Sequence, residues 1–103
     1  MILTVFDRLI LLNVLPKEGD ITSLKIVRGL REDLSFSEDE HKELELRYEG
    51  GNVFWKEDVN ISKDINIGER AKDIIAGAFK TLNKNKKLTE QHLDLYERFV
   101  GGE

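Results

Sequence analysis

Apolar residues recur at helical spacing near both ends of the chain and alternate with polar residues in its middle. The first helical stretch begins at Thr4, which resembles an N-cap, and ends near Leu15, because Pro16 cannot continue a helix. Apolar positions three or four residues apart indicate amphipathic helices. They predict helices near residues 5–15 and 21–34, a short third helix or single turn near 38–43, a long helix opening at residues 66–69, and a last helix capped by Thr89.

The alternating part of the chain is the sequence ELELRYEGGNVFWKE, residues 43–57. Gly50 and Gly51 fit the tight turn of a β-hairpin, since both central positions of such a turn need positive φ. With the turn at these two glycines, apolar residues pair with each other on one side of the hairpin and opposite charges pair on the other side. This register pairs Tyr48 with Val53, Leu46 with Trp55, and Glu45 with Lys56.

The predicted fold is one α+β domain over residues 1–103, mainly helical, with about four helices and a central β-hairpin from about 44 to 57 packed on them. The sequence VNISKDINI after the hairpin keeps alternating and predicts a third strand or an extended connection. Gly29, inside the second helix, is expected to mark a close helix contact. Residues 101–103 are expected to form a disordered tail. The predicted core comprises Phe6, Leu9, Leu24, Val27, Leu30, Leu46, Trp55, Ile75, Phe79, Leu82, Leu93, Tyr96 and Phe99.

Composition restricts the class of protein. With 40% apolar and 35% charged residues, the chain is typical of a folded globular domain. It has no cysteine, which excludes a disulfide framework and a cysteine nucleophile. Its most apolar run, residues 2–15, is shorter than the roughly 20 residues that span a bilayer and contains Asp7 and Arg8. It also lacks the basic start and cleavage site of a secretion signal, so we expect a cytoplasmic protein.

Motifs for catalysis or metal binding are weak. The segment Asp58 to Glu69 places oxygen-bearing side chains at five ligand positions of an EF-hand loop, but Lys63 stands where that loop needs glycine. A strand followed by a capped helix is therefore the favoured interpretation. His41 and His92 have no partner at ligand spacing, and neither a nucleophile elbow nor a phosphate-binding glycine loop occurs. We expect no catalytic residue, no cofactor and no metal.

The negative charge is concentrated in the middle of the chain. Residues 38–64 carry nine acidic and four basic side chains, a net charge of −5 in a chain whose total is −4. Helices followed by a hairpin are typical of winged-helix DNA-binding modules, but this acidic surface would repel phosphates. A winged-helix-like nucleic-acid-binding regulator is therefore only an alternative. Another is an acidic inhibitor that occupies a host nucleic-acid-binding or defence protein.

Two stretches of the chain, LILLNVLPKEGDITSLKIVRGLRE and KLTEQHLDLYERF, resemble small proteins encoded by bacteriophages and prophages. The shared pattern is a leucine-rich first helix, an LPKEG break, a central acidic turn of the FSEDEHKE type and an LYERF-like ending. The resemblance attaches no activity to any residue. It implies a viral protein that acts by binding, inside a bacterial cell.

The favoured function is a non-enzymatic protein-interaction or regulatory protein that self-associates. Its first helix is apolar around most of its circumference, so it is expected either to be central to the fold or to be partly covered by another copy. Phe54 falls on the otherwise polar side of the predicted hairpin, where a large aromatic side chain is either covered by the connecting segment or offered to a partner. The expected partners are proteins, including a second copy, rather than nucleic acid or a membrane. The candidate interaction residues are Phe54, Phe6, Leu3, Glu45 and Glu49.

Overall fold

Side-chain caps begin the first three helices of the computed structural model, which describes residues 1–59 and 61–101. Thr4 and Asp7 exchange reciprocal bonds between side chain and backbone N–H, each 3.1 Å long. Ser37 and Glu40 form the same capping box at the start of the third helix. The elements in chain order are β1 (Ile2–Thr4), α1 (Val5–Val14), α2 (Ile21–Leu34), α3 (Glu38–Leu44), β2 (Arg47–Glu49), β3 (Asn52–Phe54), β4 (Ser62–Asp64), α4 (Glu69–Lys84), a 3₁₀ turn (Glu90–His92) and α5 (Leu93–Phe99).

The predicted α+β class is confirmed, and one hydrophobic core joins α1, α2, α4 and α5. Buried positions predicted from helical spacing include Val27, Leu30, Ile75, Phe79 and Tyr96. The prediction for Leu93 was wrong, since 53% of its surface is exposed and Leu95 is buried instead. Both residues belong to α5, whose core-facing side carries Leu95, Tyr96 and Phe99, so Leu93 lies away from the core.

A short N-terminal strand was not predicted. β1 pairs antiparallel with β4, with Leu3 opposite Lys63, so the alternating sequence after the hairpin does supply a third strand. Leu3 points into the core and is fully buried, whereas Ile2 and Thr4 are exposed. Three residues ahead of the Thr4 cap are too few for an alternating pattern to be recognised.

The hairpin forms in the predicted register but is shorter than expected. Gly50 and Gly51 adopt φ of 56° and 80°, and Tyr48 opposes Val53. The ladder covers residues 47–54 instead of 44–57, because Glu45 ends α3 in the left-handed region. The predicted pairing of Glu45 with Lys56 therefore lies outside the strands.

Gly29 was expected at a close helix contact, but it is exposed. A Cβ atom at that position would meet no atom within 4 Å. No neighbouring helix therefore requires a glycine at that position.

The predicted disordered tail begins at Gly101, which is described, while Gly102 and Glu103 lie outside the described residues.

Candidate functional site

One side of the hairpin presents an aromatic surface. Tyr48 and Val53 face each other across the strands, and Trp55 continues the same side by strand alternation. The ring of Phe6, near the start of α1, lies 6.3 Å from the Trp55 ring, centroid to centroid. Tyr48 is 65% exposed and Phe6 39%, while Val53 and Trp55 are half-buried. We call these four residues the aromatic face.

The exposure of the aromatic face corrects an expectation from the sequence. The register placed Tyr48 and Val53 on the side that should lie against the helices, and Phe6 in the core. Phe6 instead remains partly open to solvent beside Trp55. A two-stranded ribbon with strands of three residues is too short to cover the helices fully. The hairpin therefore keeps apolar surface available for contact with another molecule.

Phe54 lies on the opposite side of the ribbon, as predicted. It stands directly across from Arg47, whose guanidinium carbon is 5.8 Å from the centre of the phenyl ring. This cation–π contact shields part of the ring, yet Phe54 remains 43% exposed. It belongs to a different surface from Phe6 and Trp55.

Two grooves flank Trp55. The larger, about 440 Å³, is lined by Glu45, Arg47, Trp55 and Lys56, and therefore carries charges of both signs. The smaller, about 120 Å³, is mostly apolar and separates the start of α1 from the segment after the hairpin. The residues that line it are Thr4, Val5, Phe6, Trp55, Glu57, Val59 and Ile61.

The five predicted interaction residues do not form one site. Phe6 lies on the aromatic face, Phe54 lies on the other side of the hairpin, and Glu45 and Glu49 are exposed at either end of β2. Leu3 is fully buried against the core, so it offers no surface to a partner. Tyr48, the most exposed aromatic side chain, was missed because the pairing assigned it to the covered side.

The best-defined polar arrangement in the interior surrounds Arg8, which is fully buried. Its guanidinium donates to both carboxylate oxygens of Glu40, at 2.6 and 3.2 Å. It also donates to the main-chain oxygens of Leu34 and Ser35, at 3.1 and 2.7 Å, and lies 4.0 Å from the ring centre of Phe36. The arrangement fastens α1 to the connection between α2 and α3, which is a structural role.

In the sequence, Arg8 stands out only as a charge that interrupts an apolar run. A signal was nevertheless present, because Arg8 stands three and seven residues before Leu11 and Leu15. This spacing places it on the same helical stripe as these two leucines, both of which are buried. A charged residue on the core stripe of a helix needs a buried partner. The identity of that partner, Glu40, required the tertiary structure.

The ion pair changes the acidity of Glu40. The Arg8 hydrogen bonds hold the pKa of the Glu40 carboxyl at about 2, below the ordinary value of 4.5. Burial of the carboxyl opposes this shift, and the Ser37 N–H adds to it by donating to the same carboxylate. A carboxyl whose pKa is lowered by folding stabilises the folded state above its unfolded pKa.

The Glu40 carboxylate should therefore make stability pH-dependent in acid. Near neutral pH, the wild type should exceed Glu40→Gln in free energy of unfolding by about 2 kcal/mol. This advantage should shrink as the pH falls from about 4.5 towards 2, because Glu40 then becomes protonated in the folded state. Urea unfolding followed by circular dichroism at several pH values measures the difference. A difference that does not vary with pH would contradict the proposed ion pair.

The segment proposed as an alternative calcium loop is organised differently. Ser62–Asp64 form β4, Ile65 is buried, and Gly68 is the N-cap of α4. A paired strand at this position is not the conformation of an EF-hand loop. Within residues 1–59 and 61–101, no three His, Asp or Glu side chains are grouped to hold a metal ion.

His92 is half-buried at the start of the last helical segment. The Thr89 N–H donates to its Nδ1 at 2.9 Å, and its ring meets the edge of Phe79. Its imidazole thus takes part in starting the last helical segment.

Comparisons of the chain with protein-family models, curated proteins and solved structures found no match. The resemblance to proteins of bacteriophages and prophages therefore stays a prediction. In the part of the chain that the structure describes, no helix has both the length and the apolar character needed to cross a membrane.

Proposed function

We propose that this protein is a non-enzymatic interaction protein that self-associates through the aromatic face. The observation that carries the proposal is the exposure of Tyr48 and Phe6 on the same side of the hairpin as Trp55. Large aromatic side chains supply much of the binding energy in protein interfaces, because they bury extensive surface at a small entropic cost.

The charges beside Trp55 support a second copy of the chain as the occupant. Glu45, Arg47 and Lys56 line the same groove, so it carries one negative and two positive charges. In a dimer with two-fold symmetry, each surface meets its own copy, so a carboxylate and an ammonium on one patch can face their opposites. A purely acidic partner would place a like charge at Glu45, and a purely basic partner would place like charges at Arg47 and Lys56.

The open edges of the hairpin support the same occupant. β2 and β3 form a sheet of two strands, and each strand has one edge without a strand partner among the described residues. Such edges readily pair with another chain. In keeping with the sequence resemblance, we place this self-association in a phage-encoded regulatory protein acting in the bacterial cytoplasm.

Sedimentation equilibrium from micromolar to sub-millimolar concentration tests the proposal. The wild type should form dimers, and Tyr48→Lys should weaken association at least about tenfold. Leu93→Lys is the matched control, because it changes an apolar residue of similar exposure on α5 and should associate like the wild type. Trp55, the single tryptophan, should become less accessible to acrylamide as the wild type associates. A wild type that stays monomeric over the whole range would refute the proposal.

A further inference from the structure

A groove with basic walls runs alongside α2. It consists of two adjoining depressions of about 360 and 230 Å³, which share Leu24 and Arg28. No acidic side chain lines either depression. We call the following residues the basic groove: Pro16, Ile21, Leu24 and Val27, which are apolar, and Lys17, Lys25, Arg28 and Arg31, which are basic.

The cations of the basic groove are not neutralised within the described residues. The structure pairs Arg8 with Glu40, and Arg98 with Asp7 and Asp94. None of the four groove cations lies within 4.0 Å of a described carboxylate. Residues 1–37 carry equal numbers of acidic and basic side chains, but the structure gathers four of the five basic ones at this groove.

Lys25, Arg28 and Arg31 are spaced three residues apart, so their charges project from successive turns of α2. The nearest acidic residues along the chain are Asp20, at the N-cap of α2, and Glu32, next to Arg31. The three cations therefore form an uninterrupted basic row between these two residues. A complementary ligand must carry several negative charges along a comparable length.

The apolar floor distinguishes between acidic ligands. Ile21 is 69% exposed and stands among the cations. A phosphate group gains nothing from an apolar side chain, whereas a protein surface that carries both carboxylates and apolar groups buries it. The groove therefore fits an acidic protein segment better than a nucleic acid or a free phosphate.

The chain itself contains such a segment. In α3, Asp39 and Glu43 are exposed and four residues apart, which places them on one side of the helix. Glu38 is a third exposed carboxylate of α3, Lys42 is its one lysine, and Glu40 is occupied by Arg8. The negative charges of α3 complement the cations of the groove.

We infer that the basic groove of one copy binds the acidic surface of α3 in a second copy. This contact goes beyond the aromatic-face dimer, because it joins two different surfaces and uses charge instead of aromatic burial. A contact between unlike surfaces is heterologous, so it can extend association past the dimer. It should also weaken with salt, since exposed charges are screened.

Charge reversal tests the contact. Lys25→Glu/Arg28→Glu and Asp39→Lys/Glu43→Lys should each weaken association at low salt at least about tenfold, because each variant opposes like charges. Mixing the two variants should restore association, since the reversed groove then meets the reversed helix. Sedimentation velocity at low and at physiological salt measures both effects.

A control variant of α4 and a Tyr48→Lys background distinguish this contact from self-association through the aromatic face. Lys72→Glu/Lys80→Glu makes the same change of charge at exposed positions of α4 and should associate like the wild type. In a Tyr48→Lys background, any remaining association should be sensitive to salt if the groove forms its own contact. Loss of the aromatic-face dimer alone would leave this salt-sensitive step in place.

Three results would overturn the inference. The first is unchanged association of both charge-reversed variants, and the second is failure of their mixture to associate. The third is binding of a short single-stranded oligonucleotide or of inorganic phosphate that requires Arg28 while the acidic surface of α3 has no effect. That third result would assign the groove to a phosphate-bearing ligand.

Discussion

Replacing Arg8 with alanine is expected to lower the free energy of unfolding by about 3 to 5 kcal/mol. The substitution removes a fully buried guanidinium that donates to Glu40 and to two main-chain oxygens. A half-buried carboxylate and two carbonyl groups then lose their partner, which costs more than the loss of packing alone. Urea unfolding followed by far-ultraviolet circular dichroism measures the effect. Helical signal is preferable to fluorescence, because the single tryptophan reports only on the hairpin.

A double-mutant cycle identifies the cause of the loss. Arg8→Met keeps the length of the side chain, and Glu40→Gln keeps an acceptor for the Ser37 N–H. The double variant should cost less than the sum of the two single variants by about 1 kcal/mol or more, because each single variant leaves one member of the pair unmatched. Arg8→Met should cost more than Glu40→Gln, since only arginine also serves the main-chain oxygens. Additive effects, or a cost below about 0.5 kcal/mol for Arg8→Met, would show that the pair contributes little.

The size of this effect reflects how much of the fold Arg8 connects. Its partners stand 26 to 32 residues further along the chain, at the end of α2 and in the first turn of α3. The same Glu40 carboxylate closes the α3 capping box. The start of α3, its connection to α2 and the packing of α1 in the core therefore all depend on the Arg8 guanidinium.

Helix limits could be predicted from sequence because their causes are local. Thr4, Asp20 and Ser37 cap the three N-terminal helices, and Pro16 stops the first. The predicted ranges 5–15, 21–34 and 38–43 accordingly agree with the observed helices to within one residue. Caps and prolines act over a few residues, so no tertiary information was needed.

The aromatic face could be predicted only in part. Alternation correctly placed Tyr48 opposite Val53 and Phe54 on the other side. It did not show which side the helices would cover, because alternation fixes only which residues share a side. Tyr48 is exposed because the strand ladder ends early, at Arg47. Two residues before, Glu45 adopts the left-handed conformation with which the chain leaves α3. That geometry depends on how the third helix meets the hairpin.

The basic groove was missed for a related reason. Charge counted along the chain is balanced over residues 1–37, so no basic patch was expected there. The balance hides a separation in space, because Lys17, Lys25, Arg28 and Arg31 line the groove and none of the acidic residues of this segment does. Four of the five cations therefore face solvent together. Net charge along a segment does not describe the surface that the segment forms.

Replacing Phe79 with alanine should likewise lower the free energy of unfolding by about 3 to 5 kcal/mol. Phe79 is fully buried in α4, and its ring lies within 6.1 to 6.3 Å of the rings of His92, Tyr96 and Phe99, measured between centroids. Removing it leaves a cavity between α4 and α5 that three aromatic neighbours cannot fill without moving. Phe79→Leu, which keeps part of the volume, should cost less and provides a measurement if the alanine variant does not fold.

The matched control is Phe54→Ala, the same change at a residue that is 43% exposed. It should lower the free energy of unfolding by less than about 1 kcal/mol, because the variant loses only the cation–π contact with Arg47 and a small buried area. Because Phe54 lies on the side of the hairpin away from Tyr48, its removal should leave self-association unchanged. Equal losses of stability in the two alanine variants would mean that the Phe54 side of the hairpin is packed into the core, which would contradict its exposure.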